Sequence, residues 1–219
     1  MPEILNEIEA RVLGSLVEKQ LTTPEYYPLT LNALVNACNQ KNNREPAVHY
    51  DETTVTQCLE ALRDRNLVYV FYGSTSRVPK YKHMLPTVYE LEPSETAVMD
   101  IMLLRGPQTL GELRTRTERL YSFSGLGEIQ ETLDGLSRRD DPLVLKLPVQ
   151  PGQKEARFAH LLSGPIDIEA LAVAHATRPA RGSGADTERV EKLEEEVATL
   201  RTEIDTLKDT FEEFKKQFE

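Results

Sequence analysis

The side chains that most often carry catalysis are scattered singly along this sequence. Its four histidines are far apart, and none stands in an HExxH pattern or beside a cysteine at metal-ligand spacing. The chain contains no phosphate-binding GxxxxGKS or GxxxxGKT string, no GxGxxG after a predicted strand and no GxSxG. These patterns indicate a protein that is not an enzyme and that needs no metal or cofactor.

The two cysteines and the N-terminal segment point to a reducing compartment. Cys38 and Cys58 each lie inside an apolar helical pattern, which is typical of reduced core thiols rather than a disulfide or metal pair. The first residues show helical periodicity with acidic side chains, and no apolar stretch approaches the length of a membrane span. We expect a cytoplasmic protein with no membrane partner.

The residues best suited to nucleic-acid binding fall between positions 41 and 82. Threonine and glutamine on an exposed helix face can hydrogen-bond base edges, and lysine or arginine in flanking loops can contact phosphate. The candidate contact residues are Lys41, Asn43, Arg44, Thr53, Thr54, Gln57, Arg77, Lys80 and Lys82. The sequence therefore predicts a double-stranded DNA partner, of the kind that a transcriptional regulator binds.

The charge balance supports an alternative. The net charge is −10, no large segment is basic overall, and Glu52, Glu60 and Asp64 stand among the candidate helix residues and would repel phosphate. This balance counts against a protein that coats nucleic acid non-specifically. The alternative is an interaction scaffold that binds protein partners without direct DNA contact.

The elements that must position these residues follow a recognisable order. Apolar periodicity predicts helices over 4–19, 31–39 and 52–65, the last two capped by Thr30 and Asp51. A β-rich segment, a turn at 73–76 and a second strand near Lys80–Leu85 then predict a hairpin. Three helices followed by a hairpin are typical of a winged helix-turn-helix domain.

The second half of the chain repeats this order. Ser94 is predicted to cap a helix through Leu104, and Thr109 to cap the next one. A third helix and two strands around a turn at 150–153 complete the unit. In three pairs of apolar positions, one from each half, the two members are separated by the same number of residues, which indicates an internal duplication. The pairs are Val55 with Ile129, Leu59 with Leu133, and Leu62 with Leu136.

The second half offers a poorer DNA-reading helix than the first. Its third predicted helix exposes Glu128, Gln130, Glu131 and Asp134, a mostly acidic face that repels phosphate. We expect this half to contact protein, or the first half, more than duplex DNA.

The C-terminal segment changes period. A linker rich in proline, glycine and serine covers 177–187, and a strict heptad pattern follows over 188–219. The predicted dimerisation positions are Val190, Leu193, Val197, Leu200, Ile204, Leu207, Phe211, Phe214 and Phe218. Valine or isoleucine at the first three a positions with leucine at the first three d positions favours a parallel two-stranded coiled coil, and hence a homodimer. The alternative is a helix that folds back onto its own domains.

The predicted fold is thus α+β, mainly α. It comprises two tandem winged helix-turn-helix domains over 1–92 and 93–176, the linker over 177–187, and a coiled-coil helix over 188–219.

Three strings carry a family resemblance. YPLTLNALVNACNQKNNREPAV at 27–48, SRVPKYKH at 76–83 and RGPQTLGELRTRTERLYSF at 105–123 resemble the YceH-like family of bacterial proteins. The match spans about residues 1–165, and core packing does not demand such polar strings. The resemblance implies a tandem winged-helix fold, a bacterial cytoplasmic setting and no known enzyme activity. It supplies no catalytic or ligand-binding residues.

Overall fold

The computed structural model describes residues 4–72, 78–149 and 153–166, which belong to one compact unit, Met1–Ile166. Seven α-helices and two small antiparallel sheets lie within these ranges, so the fold is α+β with more helix than strand. None of the described helices is long and apolar enough to cross a membrane. The predicted linker over 177–187 and the coiled coil over 188–219, with its nine dimerisation positions, lie outside the described residues.

The first half of the unit builds three helices and a small sheet. Its elements are α1 (Glu7–Thr22), β1 (Leu29–Thr30), α2 (Leu31–Cys38), α3 (Glu52–Asp64), β2 (Val68–Phe71) and β3 (Lys80–His83).

Helix α1 begins three residues later than the apolar periodicity predicts. The side chain of Asn6 accepts a hydrogen bond of 2.9 Å from the backbone N–H of Glu9, and the Glu9 carboxylate accepts one of 2.8 Å from the N–H of Asn6. This reciprocal cap satisfies two helix-end donors and sets the start at Glu7. Leu5, ahead of the cap, is nevertheless buried in the core.

The predicted caps of the next two helices are confirmed. Thr30 Oγ1 accepts from the backbone N–H of Ala33 at 3.4 Å, and Asp51 Oδ1 accepts from that of Thr54 at 2.8 Å. Each cap satisfies a donor that the first turn leaves without an intrahelical partner.

The sheet contains a strand that apolar patterning does not reveal. β3 lies in the centre, with β2 antiparallel on one side and the two-residue β1 antiparallel on the other. β1 pairs Leu29 with Tyr81 and Thr30 with Lys80. This pairing links the start of α2 to the hairpin.

The predicted extension of the second hairpin strand to Leu85 is wrong. The strand ends at His83, and Leu85 begins the short helix α4 (Leu85–Tyr89). Pro86 explains the change, because it is tolerated in the first turn of a helix and cannot donate to a sheet ladder.

The second half repeats the order with less sheet. Its elements are α5 (Pro93–Arg105), α6 (Leu110–Thr117), α7 (Leu126–Ser137), β4 (Val144–Lys146) and β5 (Phe158–His160). Gln108 forms an isolated bridge to Phe158, at the chain position that β1 occupies in the first half.

The Thr109 cap is confirmed, but α5 is preceded by Glu92 rather than capped by Ser94. The backbone N–H of Glu92 donates to the Glu95 carboxylate at 2.9 Å.

The three offset-matched pairs all lie in the core. Val55, Leu59 and Leu62 of α3, and their counterparts Ile129, Leu133 and Leu136 of α7, are all buried, as predicted. Cys38 and Cys58 are also buried, as free thiols. One hydrophobic core includes residues from both halves.

The two halves meet along α1 and α5. Gly14 of α1 permits their close approach, since a Cβ there would stand 2.9 Å from Leu104 Cδ2 and 3.2 Å from Leu103 Cβ. The predicted boundary between residues 92 and 93 coincides with the start of α5. Because α1 and α5 share a buried contact, division into two independent domains stays a prediction.

Candidate nucleic-acid interface

Helix α3 presents a polar face opposite its apolar stripe. Its inward positions are Val55, Cys58, Leu59 and Leu62. On the other side Thr53 and Gln57 are exposed, while Thr54 is half-buried. Hydroxyl and amide groups of this kind can hydrogen-bond base edges in a major groove.

Acidic groups flank that face. Asp51 caps the helix, and the hydrogen bonds from Thr54 lower the pKa of its carboxyl, so it is charged at neutral pH. Glu52, Glu60 and Asp64 are exposed on the helix itself. The helix face therefore offers hydrogen-bonding groups without a favourable charge.

The hairpin supplies the opposite charge. In its register Tyr69 lies across from Lys82, and Phe71 across from Lys80. These four side chains share one face of the sheet, because alternate strand residues point to the same side. We call this set (Tyr69, Phe71, Lys80 and Lys82) the aromatic–lysine face.

The aromatic–lysine face is open to solvent. Tyr69 is 60% exposed and Phe71 is 46% exposed; Lys82 is exposed and Lys80 half-buried. Tyr72, the residue after β2, is 68% exposed. The lysines can neutralise phosphates of a nucleic-acid backbone.

The other face of the sheet packs inward. Val68 and His83 pair across the strands and are both buried, and the Tyr27 hydroxyl accepts a 2.7 Å hydrogen bond from the backbone N–H of His83. Burial lowers the pKa of His83 to about 4, with Lys82 adding to the effect. The imidazole is therefore neutral at physiological pH and is not a wing contact.

The hairpin lies beside α3. Leu67, just before β2, donates its N–H to the Leu62 carbonyl of α3 at 2.9 Å. Burial raises the pKa of Tyr81 on β3, and the charges of Arg63 and Glu60 on α3 act on the same phenol. Helix α3 and the hairpin are thus neighbours, and Tyr81, which alternates with Lys80 and Lys82 along β3, lies on the sheet face opposite the aromatic–lysine face.

The loop between α2 and α3 is tied down at both ends. The Asn39 side chain donates to the Tyr50 carbonyl at 2.8 Å and accepts from the Tyr50 N–H at 2.7 Å. The buried Arg11 donates to the carbonyls of Cys38 and Pro46 at 3.2 and 2.6 Å. These bonds hold the loop that carries three of the predicted contact residues.

The structure places Arg44 in the interior, which corrects its predicted phosphate-binding role. Its guanidinium donates to both carboxylate oxygens of Glu18, at 2.9 and 2.7 Å, and to the Ala37 carbonyl at 3.2 and 3.0 Å. Burial alone raises the pKa of Glu18, but the hydrogen bonds and charge of Arg44 outweigh it and lower the pKa. A guanidinium engaged in this way is not offered to phosphate, so we leave Arg44 out of the interface.

The other loop residues remain at the surface. Lys41 is exposed, and so is Asn43, whose Oδ1 accepts a hydrogen bond from Arg105. Asn43 has a positive φ of 62°, which asparagine tolerates better than most residues. Arg77 lies outside the described residues. The structure therefore brings Thr53 and Gln57 onto one helix face, and Lys80 and Lys82 onto the adjoining sheet.

Tyr69 and Phe71 are absent from the sequence-predicted set. The sequence does contain a signal for them. Tyr69 and Phe71 are two residues apart, as are Lys80 and Lys82, and this spacing puts side chains on the same face of a strand. What the sequence lacks is the pairing register that sets Tyr69 against Lys82.

The acidic side chains of α7 are largely engaged locally. Glu128 accepts from the Ser124 N–H at 2.7 Å and from the Tyr121 hydroxyl at 3.1 Å, and Asp134 accepts from Gln130 at 2.8 Å. Among the described residues no group of three or more histidine, cysteine and carboxylate side chains is placed to hold a metal.

Comparison with known proteins identifies relatives along the whole chain. A family model described as "Protein of unknown function, DUF480" matches residues 5–153. A UPF0502 protein from Geobacter sulfurreducens is 48% identical and one from Pelobacter propionicus 49%, each over the full length of both chains. A third, from Citrifermentans bemidjiense, is 52% identical over 90% of both. The family resemblance drawn from the sequence is confirmed, and this chain belongs to the DUF480 family.

Proposed function

We propose that this chain binds double-stranded DNA, as a transcriptional regulator does, through helix α3 and the aromatic–lysine face. The observation that carries the proposal is the exposure of Tyr69, Phe71 and Lys82, with the half-buried Lys80, on one face of a hairpin that neighbours α3, whose exposed face bears Thr53 and Gln57. In this arrangement α3 enters the major groove, while the hairpin contacts the backbone. The proposal is of a binding protein rather than an enzyme, and it includes a cytoplasmic location.

The proposal treats each half as a winged helix-turn-helix domain. In the first half the order helix, strand, two helices and hairpin, with strand order β1-β3-β2, supports this assignment. In the second half the Gln108–Phe158 bridge stands in place of β1. The second half serves as a partner of the first rather than as a second reader of DNA.

The contribution of Lys80 and Lys82 can be measured from the salt dependence of DNA affinity. Each phosphate contact contributes about 0.9 to the slope of log affinity against log salt concentration. Fluorescence anisotropy of a labelled duplex, titrated with the full chain at several salt concentrations, measures that slope. We expect Lys80→Ala/Lys82→Ala to lower affinity at low salt and to reduce the slope by about two.

A matched control separates the local effect from net charge. Lys154 is an exposed lysine after β4, outside the proposed interface. Lys154→Ala is expected to bind as the unaltered chain does. Absence of duplex binding in the micromolar range, or equal loss in both variants, would overturn the proposal.

A second candidate function rests on the same hairpin and its flanking residues. Tyr69, Phe71, Tyr72 and Val78 are all large, apolar and exposed, and α3 beside them carries Glu60 and Asp64. Such a patch with acidic neighbours suits a protein-interaction scaffold that does not contact DNA. A stoichiometric protein partner that survives nuclease treatment, and that Phe71→Ala releases while Lys80→Ala/Lys82→Ala does not, would favour the scaffold.

The proposal also includes a homodimer formed by a parallel coiled coil over 188–219. Its support is the heptad spacing of Val190 through Phe218 in the sequence. Analytical ultracentrifugation of the full chain and of a chain ending at Arg181 tests it. We expect a dimer that becomes a monomer on truncation. A full chain that is monomeric at micromolar concentration would contradict the proposal.

A further inference from the structure

A polar cavity lies at the C-terminal end of α1, and the proposed function does not use it as a site. Its volume is 370 Å³, within the range of small-molecule sites. Three segments form its wall: the last turns of α1, the loop after α2, and the connection between α6 and α7, which contributes Arg119. Both halves of the compact unit therefore contribute to the cavity.

The charged groups in the wall are mostly cationic. Lys19, Lys41 and Arg119 line the cavity, against a single lining carboxylate, that of Glu18. Two hydrogen bonds from Arg44 already engage that carboxylate. The cavity thus has a surplus of positive charge, which favours an anion.

Two of the three cations are available to a ligand. Lys41 and Arg119 are exposed, and neither forms an ion pair with another described residue. Lys19 is more constrained, since its ammonium lies 3.1 Å from a Glu18 oxygen and 3.3 Å from Gln40 Oε1.

The neutral side chains of Gln40 and Asn43, which line the cavity, can donate hydrogen bonds to a ligand. The carbonyl oxygen of Gln40 accepts from Lys19, and that of Asn43 accepts from Arg105. In each side chain the amide NH₂ is left to donate. Amide donors beside ammonium and guanidinium groups form the set that binds phosphate and carboxylate oxygens.

We propose that this cavity binds a small molecule with at least two negative charges, carried by phosphate or carboxylate groups. Lys41 and Arg119 are the principal contacts, with the Gln40 and Asn43 amides as supporting donors. Because Arg119 belongs to the second half and Lys41 to the first, a bound anion bridges the two. The site is therefore suited to an effector that tightens their junction.

Isothermal titration calorimetry of the full chain, without nucleic acid and at constant ionic strength, tests the proposal. Pyrophosphate represents the phosphate source and citrate the carboxylate source, with glucose as an uncharged control. We expect saturable binding of at least one anion, and none of glucose. Binding of pyrophosphate alone, citrate alone or both identifies the group that the site accepts, and each supports the proposal.

Variants locate the binding in the cavity. Loss of one charge-assisted contact weakens affinity by about tenfold or more, so Arg119→Ala and Lys41→Ala are each expected to do so. Both side chains are exposed, so folding should be unaffected, which circular dichroism checks. Lys154→Ala is the matched control and should bind as the unaltered chain does. No saturable heat up to about 10 mM of either anion, which corresponds to a dissociation constant weaker than millimolar, overturns the proposal. So does affinity that Arg119→Ala leaves unchanged.

Discussion

Arg44 and Glu18, from a loop and a helix 26 residues apart in the sequence, form a bidentate ion pair in the protein interior, with N–O distances of 2.9 and 2.7 Å. Arg44 also donates to the Ala37 carbonyl, so the pair joins α1, the end of α2 and the following loop. Burying either charge alone here would cost a large desolvation free energy. The ion pair and its hydrogen bonds offset that cost for both side chains.

The first prediction concerns this pair. Arg44→Met removes the bidentate partner of the buried Glu18 carboxylate and leaves it only the Lys19 ammonium, and we expect a loss of about 3 kcal/mol in the free energy of unfolding. Urea denaturation followed by circular dichroism measures it. The double variant Glu18→Gln/Arg44→Met should lose less than the sum of the single changes. Additive losses would show that the two side chains do not interact.

The second prediction concerns the α1–α5 contact. Gly14→Ala adds a methyl group where Leu104 and Leu103 leave no room, and overpacking of this kind costs about 1–3 kcal/mol. The matched control is Gly135→Ala in α7, where the nearest atom to the new Cβ is a Glu95 oxygen at 4.0 Å. There the better helix propensity of alanine should stabilise by up to about 1 kcal/mol. Thermal unfolding measures the change in stability for both variants. If Gly14→Ala stabilised the protein as Gly135→Ala does, the close α1–α5 contact would be contradicted.

The third prediction concerns Asp100 of α5. Its side chain is fully buried, neither oxygen forms a hydrogen bond of normal geometry with the described residues, and burial raises its pKa well above the usual value. The folded protein therefore binds this proton more tightly than the unfolded chain does, and this lowers stability as the pH rises above the unfolded chain's pKa. We expect Asp100→Asn to raise the unfolding free energy at pH 8.

The gain from Asp100→Asn should shrink as the pH falls towards 4, because the unfolded chain then also binds the proton. Chemical denaturation of both proteins at several pH values measures the difference. A gain that does not depend on pH would show that Asp100 does not titrate on unfolding.

The fourth prediction concerns His83. Its pKa of about 4 in the folded protein lies below its ordinary value of 6.5, so its contribution to stability is complete above pH 6.5 and is lost as the pH falls towards 4. Between pH 7.5 and 5.5 the loss from this residue is about 1 kcal/mol. His83→Phe should remove that share of the pH dependence. His49→Phe, at an exposed position, is the control, and an equal effect would contradict the assignment.

Local chemistry explains why much of the fold is predictable from the sequence. The caps at Thr30, Asp51 and Thr109 join groups three residues apart, and the apolar stripes of α3 and α7 follow helical periodicity. Such signals depend on a few neighbouring residues, so they appear in the sequence itself. Cys38 and Cys58 are free and buried as predicted for the same reason: each lies on an apolar stripe.

Tertiary contacts decided which charged residues remain available. Sequence alone presents Arg44 and Lys41 as similar loop cations, yet Arg44 pairs with Glu18 and Lys41 faces solvent. Likewise the register of β2 against β3, rather than either strand alone, set Tyr69 beside Lys82 and Phe71 beside Lys80. Partners far apart in sequence meet only after helices and strands have packed. Periodicity therefore identified the elements, whereas packing determined which side chains can reach DNA or a small anion.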